Sequence, residues 1–297
     1  MTEDLITNDR SKKTTAYTPV RHLPKHRKPS HPLSAPAKTT IIPPMPPSPS
    51  VVNRYELKYF ISESQAAAIK ELIKPHIKLD KYCEIQPGGA YPLASVYLDS
   101  HDLRLCRESI EGHKNRFKLR IRRYSDDPSS PSFFEIKRRM DRVIIKNRVR
   151  VENHNVEEML SRPFLLYKNV NGDGEMLRQF HLYMSSIGAR PVVQIRYIRE
   201  AYESVLDNRI RITFDRKLAF KIDNYGKLSL NGNGWNHYLT GCVILEIKFT
   251  EFFPPWLTHI VKCLELHQQS ISKYARSVQH ACALRFCAPT APRRTSL

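Results

Sequence analysis

The stretch Lys118-Leu119-Arg120-Ile121-Arg122 decides the fold, because charged and apolar residues alternate in it with a period of two. Successive side chains of a β-strand point to opposite faces, so the three cations share one face of a strand. Five other stretches repeat the alternation: Glu56-Leu57-Lys58, Glu135-Ile136-Lys137-Arg138-Arg139, Lys146-Asn147-Arg148-Val149-Arg150, Arg209-Ile210-Arg211 and Glu246-Ile247-Lys248. The sequence therefore predicts a sheet with one mainly cationic face.

The excess of positive charge is large and is not confined to a basic tail. The chain has 297 residues, of which 48 are Lys or Arg and 29 are Asp or Glu, giving a formal net charge of +19. With Arg54 and Asp215 counted in the same registers, the alternating stretches hold 13 cations and 4 acids. This balance favours polyanionic partners, namely nucleic acid, an anionic membrane or phosphate-rich small molecules.

Composition divides the chain into three parts. Residues 1–53 are rich in proline and basic side chains and predict a disordered, partly extended tail, either solvated or in contact with a membrane or nucleic acid. Residues 54–285 carry the strand and helix patterns, and residues 286–297 form a short C-terminal tail. The middle part contains about eight strands with helices between and after them. Short polar links make neighbouring strands antiparallel, so the expected class is α+β with a large antiparallel sheet.

The cationic strand faces have two explanations. An antiparallel sheet can pack one face on the core and leave the other in water, so charges on one strand are ordinary. Like charges on neighbouring strands destabilise a sheet, however, and six stretches carry mostly cations. If the sheet closes into an eight-stranded barrel, the charged face lines a water-filled lumen in which Lys and Arg bind a polyphosphate.

Three acids lie among these cations. For Glu56 and Glu135, pairing with neighbouring Lys or Arg is the simpler role. A hard divalent cation needs carboxylate oxygens, and phosphates can supply its other ligands. Glu246 lies in a largely apolar stretch that is typical of a central strand, which makes it the better candidate for a metal ligand.

Eight motifs occur along the chain in an order that resembles a known family. They are Arg54-Tyr55-Glu56-Leu57-Lys58-Tyr59, Tyr97-Leu98-Asp99, Lys118-Leu119-Arg120-Ile121-Arg122-Arg123-Tyr124, Phe134-Glu135-Ile136-Lys137, Lys146-Asn147-Arg148, Arg211-Ile212-Thr213-Phe214-Asp215, Leu245-Glu246-Ile247-Lys248 and Ser272-Lys273-Tyr274. From about Arg54 to Ala283 the chain resembles the VTC domain, the polyphosphate polymerase branch of the CYTH-like triphosphate tunnel metalloenzymes. The resemblance implies an eight-stranded antiparallel β-barrel with flanking helices. It also implies binding of ATP with Mn²⁺ or Mg²⁺, and transfer of the γ-phosphate to a growing polyphosphate chain.

The resemblance further implies roles for individual residues. The expected catalytic residues are Lys58, Arg120, Arg122, Lys137, Arg199, Arg211 and Lys273, the expected substrate-binding residues are Lys146, Arg148, Arg196 and Lys248, and the expected metal ligand is Glu246. Arg199 is preferred to Arg196 by motif, although Arg199 shares a strand face with Val193, Ile195 and Tyr197. Phosphoryl transfer depends mainly on positioning and charge stabilisation, and a phosphate nucleophile is already ionised, so no general base is required.

Two alternative functions stay open. A tripolyphosphatase or nucleoside triphosphatase on the same fold would admit water instead of phosphate to the γ-phosphorus. A non-catalytic module would bind polyphosphate or RNA without turnover. RNA is disfavoured because the cationic faces hold few aromatic residues on which bases could stack. The expected partners are therefore ATP and inorganic polyphosphate, and nucleic acid is not expected.

Cysteine usage and hydropathy bear on the compartment. The six cysteines form no CxxC pair, and no apolar run approaches the roughly 18–20 residues that span a bilayer. Free thiols in a cytoplasmic protein are the simplest interpretation. Peripheral attachment to a membrane, through membrane-associated partner proteins, stays open.

Overall fold

The computed structural model describes residues 54–141, 143–161, 174–205 and 209–284. Both predicted tails, 1–53 and 286–297, lie outside these residues. The strands are β1 (Arg54–Ser62), β2 (Ile77–Leu79), β3 (Tyr91–Asp99), β4 (Asn115–Arg123), β5 (Ser132–Met140), β6 (Val143–Val151), β7 (Arg190–Ser204), β8 (Ile210–Ile222), β9 (Asn236–His237) and β10 (Cys242–Thr250). The helices are α1 (Glu63–Ile73), α2 (Lys81–Glu84), α3 (Arg104–Ile110), α4 (Val156–Ser161), α5 (Gly174–Ser186), α6 (Pro255–Cys263) and α7 (Lys273–Ala283).

The strands form one antiparallel sheet. Eight of them follow the order β1-β10-β8-β7-β3-β4-β5-β6, and the short strands β2 and β9 pair with β7 and β8. The α+β class and the eight-stranded antiparallel sheet with flanking helices are thus confirmed. The extra strands β2 and β9 are too short to give a periodic signal in the sequence.

The sheet is strongly curved but not closed. In the described part of the chain, β1 and β6 form the two edges and are not hydrogen-bonded to each other, so the predicted closure into a barrel is wrong. Side chains link the edge regions instead, since Lys137 Nζ of β5 lies 3.1 Å from Glu56 Oε2 of β1. A period-two pattern shows which residues share a face, but it contains no information about which edges pair.

Local sequence explains several boundaries. Ser62 caps α1, and the side chains of Ser62 and Gln65 exchange hydrogen bonds with each other's backbone N–H groups, as a capping box requires. Asp127 accepts from Ser129 N at 2.9 Å and orders the polar turn between β4 and β5. Asp141, at the tight link from β5 to β6, has a φ of 50°, a left-handed conformation that Asp tolerates.

Helices cover the outer face of the sheet, and one helix lies inside its curve. Apolar residues of α4 and α5 pack on the outer face of β3 to β6, and residues of α1 and α6 pack on β1, β8 and β10. Helix α7 packs instead on the inner face, where Tyr274 and Val278 contact a cluster that includes Val193, Ile195 and Phe220. The apolar part of the inner face is thereby filled, and its charged part is left for a site.

The cysteines only partly match the expectation. Cys83, Cys106, Cys242 and Cys263 are free thiols, whereas Cys282 is disulfide-bonded, so the prediction of free thiols throughout is wrong at that position. Spacing along the chain does not report which thiols meet in space. Within the described ranges, no helix is long enough and apolar enough to cross a membrane.

Candidate functional site

A cavity of about 990 Å³ lies against the charged part of the inner face. Eleven of the twelve side chains singled out in the sequence line it: Lys58, Arg120, Arg122, Lys137, Lys146, Arg148, Arg199, Arg211, Glu246, Lys248 and Lys273. They come from seven strands and the start of α7. The period-two alternation therefore places side chains that are distant in sequence around one space, while their individual roles stay predictions.

Glu135 is the acid at the centre of the β4–β5–β6 wall. Its side chain is 1% exposed, with Oε2 at 2.6 Å from Arg120 Nε and Oε1 at 2.7 Å from Lys146 Nζ. Two more cations lie further from it: Arg148 Nε is 3.6 Å from Oε1, and Arg122 Nη1 is 3.9 Å from Oε2. Burial alone would raise the pKa of Glu135, but Arg120, Arg122 and Lys146 outweigh it and hold the pKa well below its ordinary value. Glu135 is thus ionised and holds the surrounding cations in place, the pairing role expected for it.

Glu56 and Glu246 belong to a second network, on β1 and β10. Lys58 Nζ lies 2.7 Å from Glu56 Oε1 and 3.6 Å from Glu246 Oε2, so both carboxylates face one ammonium group. Glu246 also pairs with Lys248, and Glu56 with Lys137. Burial opposes ionisation of Glu56, but Lys137, Lys58 and Lys248 lower its pKa far below the ordinary value.

These two carboxylates are the protein groups in this network that fit a divalent metal ion. Within the described ranges, no cluster of three or more His, Cys, Asp or Glu side chains could hold a metal by itself. Glu246 and Glu56 line the cavity and offer hard oxygen donors, the type that Mg²⁺ and Mn²⁺ prefer. The remaining ligands would have to come from substrate phosphates and water. The residues present therefore fit a metal that binds together with a phosphorylated substrate.

Two buried aspartates hold further cations. Asp215, fully buried, accepts from Arg199 Nε at 2.7 Å and lies 2.6 Å from Lys273 Nζ. Asp80, also fully buried, accepts from Arg211 at 2.5 Å and caps α2. No role was expected for either acid. Asp215 shares the charged register of β8, which was a usable signal, but nothing in the sequence connects Asp80 with Arg211.

The lysines that line the cavity carry more positive charge than the neighbouring carboxylates neutralise. Burial lowers the pKa of Lys118 well below its ordinary value, and Lys58 and Lys137 lower it further. Burial also lowers the pKa of Lys248, and it lowers that of Lys146 to about 8 despite the adjacent Glu135. Such mutual repulsion is relieved when an anion binds, so the electrostatics favour a polyanionic ligand.

Aromatic residues are frequent in the cavity, which corrects the expectation that few accompany the cations. The aromatic lining residues are Tyr55, Tyr82, Tyr91, Tyr97, Tyr124, Phe133, Tyr197 and Tyr274. Tyr97 Oη accepts from Arg120 at 3.2 Å, and Tyr197 Oη accepts from Arg199 Nη2 at 3.4 Å. The tyrosines of β3 and β7 occupy alternate positions that share the cavity face, a pattern that is missed when only charged residues are considered.

Arg196 is the one predicted residue that the structure places away from the cavity. Its Nη1 donates to Leu230 O at 2.8 Å, and its guanidinium lies 4.4 Å from the centre of the Trp235 ring. Arg196 and Arg199 are three positions apart on one strand, so they face opposite sides of the sheet. Arg199 lines the cavity, in agreement with the motif.

The first turn of α7 also faces the cavity. Ser272 caps the helix by accepting from Ala275 N at 3.2 Å, and it accepts from Lys118 Nζ at 2.8 Å. Ser272, Lys273 and Tyr274 all line the cavity. A helix N-terminus carries partial positive charge, so α7 adds to the attraction for an anion.

The chain belongs to the VTC domain family, whose model matches residues 53–282. Among curated proteins no match is found.

Several solved structures are similar at low identity. A candidate adenylate cyclase from Bacillus halodurans is 14% identical, with 74% of this chain and 95% of that chain covered and a TM-score of 0.42. A candidate adenylate cyclase from Vibrio parahaemolyticus is 12% identical, with 77% of this chain and 98% of that chain covered and a TM-score of 0.39. The capping enzyme triphosphatase of Mimivirus is 13% identical, with 72% of this chain and 88% of that chain covered and a TM-score of 0.28. Similarity this low has no bearing on the activity of this chain.

Proposed function

We propose that this protein is a metal-dependent polyphosphate polymerase that transfers the γ-phosphate of ATP to a growing polyphosphate chain. The observation that supports this most directly is that cations from seven strands and α7 converge on the main cavity. Membership of the VTC domain family agrees with it. The protein is proposed to act in the cytoplasm, with ATP and inorganic polyphosphate as its ligands.

In the proposed reaction, a terminal oxygen of the polyphosphate attacks the γ-phosphorus, the bond to the bridging oxygen breaks, and ADP leaves. The attacking oxygen is already ionised at neutral pH, so no side chain has to remove a proton. Arg120, Arg122 and Lys146, held by Glu135, bind phosphate oxygens and stabilise the charge that is redistributed during transfer. A divalent cation bound by Glu246 would supply further neutralisation of that charge.

A second cavity favours a polymerase over a hydrolase. Its volume is about 290 Å³, and it shares Lys58, Lys118 and Lys137 with the main cavity. Beyond these lysines it is lined by Arg116 and Arg139, which continue the charged registers of β4 and β5. A hydrolase has no need for a cationic path leading away from the reaction centre. A polymerase needs such a path to bind the chain it lengthens.

Product analysis tests the proposal. Purified protein incubated with ATP and Mn²⁺, or with ATP and Mg²⁺, should form polyphosphate, with one ADP released per phosphate transferred. Release of orthophosphate without polymer would make the protein a triphosphatase. The variant Glu246→Gln separates an enzyme from a binding module, because an enzyme should lose turnover while a pure binder should retain polyphosphate as tightly or more tightly.

A further inference from the structure

Four aromatic side chains form a continuous wall in the main cavity, which we name the aromatic wall: Tyr82, Tyr91, Tyr124 and Phe133. The ring centres of Tyr82 and Tyr91 are 6.4 Å apart, those of Tyr91 and Tyr124 are 5.9 Å apart, and those of Tyr124 and Phe133 are also 5.9 Å apart. The ring faces of such a wall do not attract a phosphate chain, since the face of an aromatic ring is electronegative. The wall therefore points to a part of the ligand that is not phosphate.

Tyr82 is the member of the aromatic wall that is best placed to contact a ligand. It is 55% exposed, whereas Tyr91 is 8% exposed. The guanidinium of Arg148 lies 3.5 Å from the ring centre of Phe133, so that ring already has a partner. Lys81 Nζ lies 5.2 Å from the ring centre of Tyr82, and the ring is still exposed enough to cover a planar group.

The position of Tyr82 is fixed relative to the cations. Asp80 Oδ1 accepts from Tyr82 N at 3.2 Å and from Cys83 N at 2.8 Å, which orders the short helix α2. The other oxygen of Asp80 accepts from Arg211 at 2.5 Å. One buried carboxylate thus connects the backbone that carries the exposed ring to a cation of the cavity. Arg211 and Tyr82 both line the main cavity, so one ligand can contact both.

The size of the cavity agrees with a ligand larger than a triphosphate. Its volume of about 990 Å³ is at the upper end of the range, roughly 300–1,000 Å³, that holds drug-sized molecules. Gln86, two residues after α2, also lines the cavity and offers both a donor and an acceptor.

We propose that the aromatic wall is the nucleobase subsite for a nucleoside triphosphate, with the base stacked on Tyr82. This inference rests on the proposed function, because it assigns the non-phosphate part of the same substrate. Stacking accepts any base, since every base has a π-face, and purines stack more extensively than pyrimidines. The subsite therefore selects nucleotides over inorganic polyphosphate as phosphate donor, with only modest preference among bases.

Binding measurements on ATP and on inorganic tripolyphosphate test the subsite. Calorimetric titrations with Mg²⁺ present compare the unmodified protein with Tyr82→Ala and Tyr82→Phe, and with Tyr225→Ala as a control. Tyr225 is 78% exposed and does not line the cavity. Base stacking on an aromatic side chain suggests that Tyr82→Ala weakens ATP binding about tenfold. Tripolyphosphate binding should stay within about twofold, because the phosphates do not contact the ring, and Tyr82→Phe should bind ATP like the unmodified protein.

The outcomes separate the subsite from the function. Equal losses for ATP and tripolyphosphate in Tyr82→Ala, or no loss for either, would overturn the subsite. If the unmodified protein bound tripolyphosphate but gained no affinity from the nucleoside, the subsite alone would be wrong. If it bound neither compound, the proposed function would fail with it. If a single-stranded RNA oligomer without a triphosphate bound as tightly as ATP and depended on Tyr82, the surface would be a nucleic-acid site and the proposal would be wrong.

Discussion

Among the individual residues of the site, Glu135 is the acid that holds several neighbouring cations in place. It is buried, ionised and in contact with four cations, and each of those cations is itself removed from bulk water to some degree. Removing one partner of a buried ion pair is costly because it leaves charge without compensation. The acid that organises the cationic wall is therefore also important for the stability of the fold.

We predict that Glu135→Gln lowers the free energy of unfolding by about 3–5 kcal/mol, the usual cost of breaking a buried pair. The folded-state pKa of Glu135 lies below its ordinary value, so this contribution is fully present at neutral pH and is lost as the pH falls through the folded pKa. Urea denaturation at pH 7 measures it.

The matched control for that experiment is Glu71→Gln. Glu71 and Lys74 form an ion pair on the surface, with side chains 69% and 67% exposed. Exposed pairs contribute about 0–1 kcal/mol, so the control should unfold almost like the unmodified protein. Equal effects of the two substitutions would show that Glu135 has no special role in the wall.

Lys146 gives the site a dependence on pH. Its pKa is lowered to about 8 by burial, so in the free protein it is charged below pH 8 and loses its charge above it. Tripolyphosphate should therefore bind more weakly at pH 9 than at pH 7 by several-fold. Calorimetry across this range checks the trend, and Lys146→Arg should flatten it because arginine stays protonated. An unchanged slope in Lys146→Arg would assign the effect to another group.

Single residues also show how far the sequence could predict the site. Alternation alone placed Lys118, Arg120 and Arg122 on one face, because the period of a strand is a local property. It did not identify Asp80, whose contact with Arg211 joins positions 131 apart in the chain. Contacts of that kind depend on the packing of whole strands, which no local pattern encodes.

At the level of secondary structure, α7 is the helix on which the site depends most. Its Tyr274 is 1% exposed, donates a hydrogen bond to Asp99 Oδ2 at 2.6 Å, and stacks on Tyr97 with ring centres 4.9 Å apart. These contacts fix the turn that carries Lys273. The sequence predicted helices after the strands, but the position of α7 on the inner face could not be predicted from its amphipathic pattern, which is the same for a helix packed outside.

We predict that Tyr274→Phe destabilises the protein by about 1–3 kcal/mol, because it leaves the buried Asp99 without one of its donors. Tripolyphosphate affinity should fall as well, since Lys273 loses its fixed position. Thermal denaturation and titration measure the two effects. Tyr225→Phe, which removes a hydroxyl group from an exposed side chain, serves as the comparison and should change neither quantity. A Tyr274→Phe protein with unchanged melting temperature and affinity would contradict the positioning role.

For the molecule as a whole, the crowded cations mean that a ligand and the fold stabilise each other. The sequence predicted the sheet and its charged face well, because periodicity decides both. Edge pairing, curvature and the inner position of α7 had to come from the structure, since they depend on contacts between distant strands.

We predict that a bound polyanion raises the melting temperature strongly. At about one hundred times its Kd, a ligand specific for the folded state adds about 2.7 kcal/mol. For a domain of this size that corresponds to about 5–10 °C. Scanning calorimetry with tripolyphosphate measures the shift, and sodium chloride at equal ionic strength controls for general screening. If sodium chloride gave the same shift, the cavity would respond only to ionic strength.

Strand β1 pairs along its whole length with β10, so Arg54 lies opposite Thr250 and Ser62 opposite Cys242. Glu56 and Lys58, near the start of the described chain, therefore reach their places only after β10 has left the ribosome. Ser272 and Lys273 follow later still. Since domains fold as units during synthesis, a nascent chain that stops before α7 lacks two of the residues that line the cavity. The lining of the cavity is thus complete only when translation of the domain is finished.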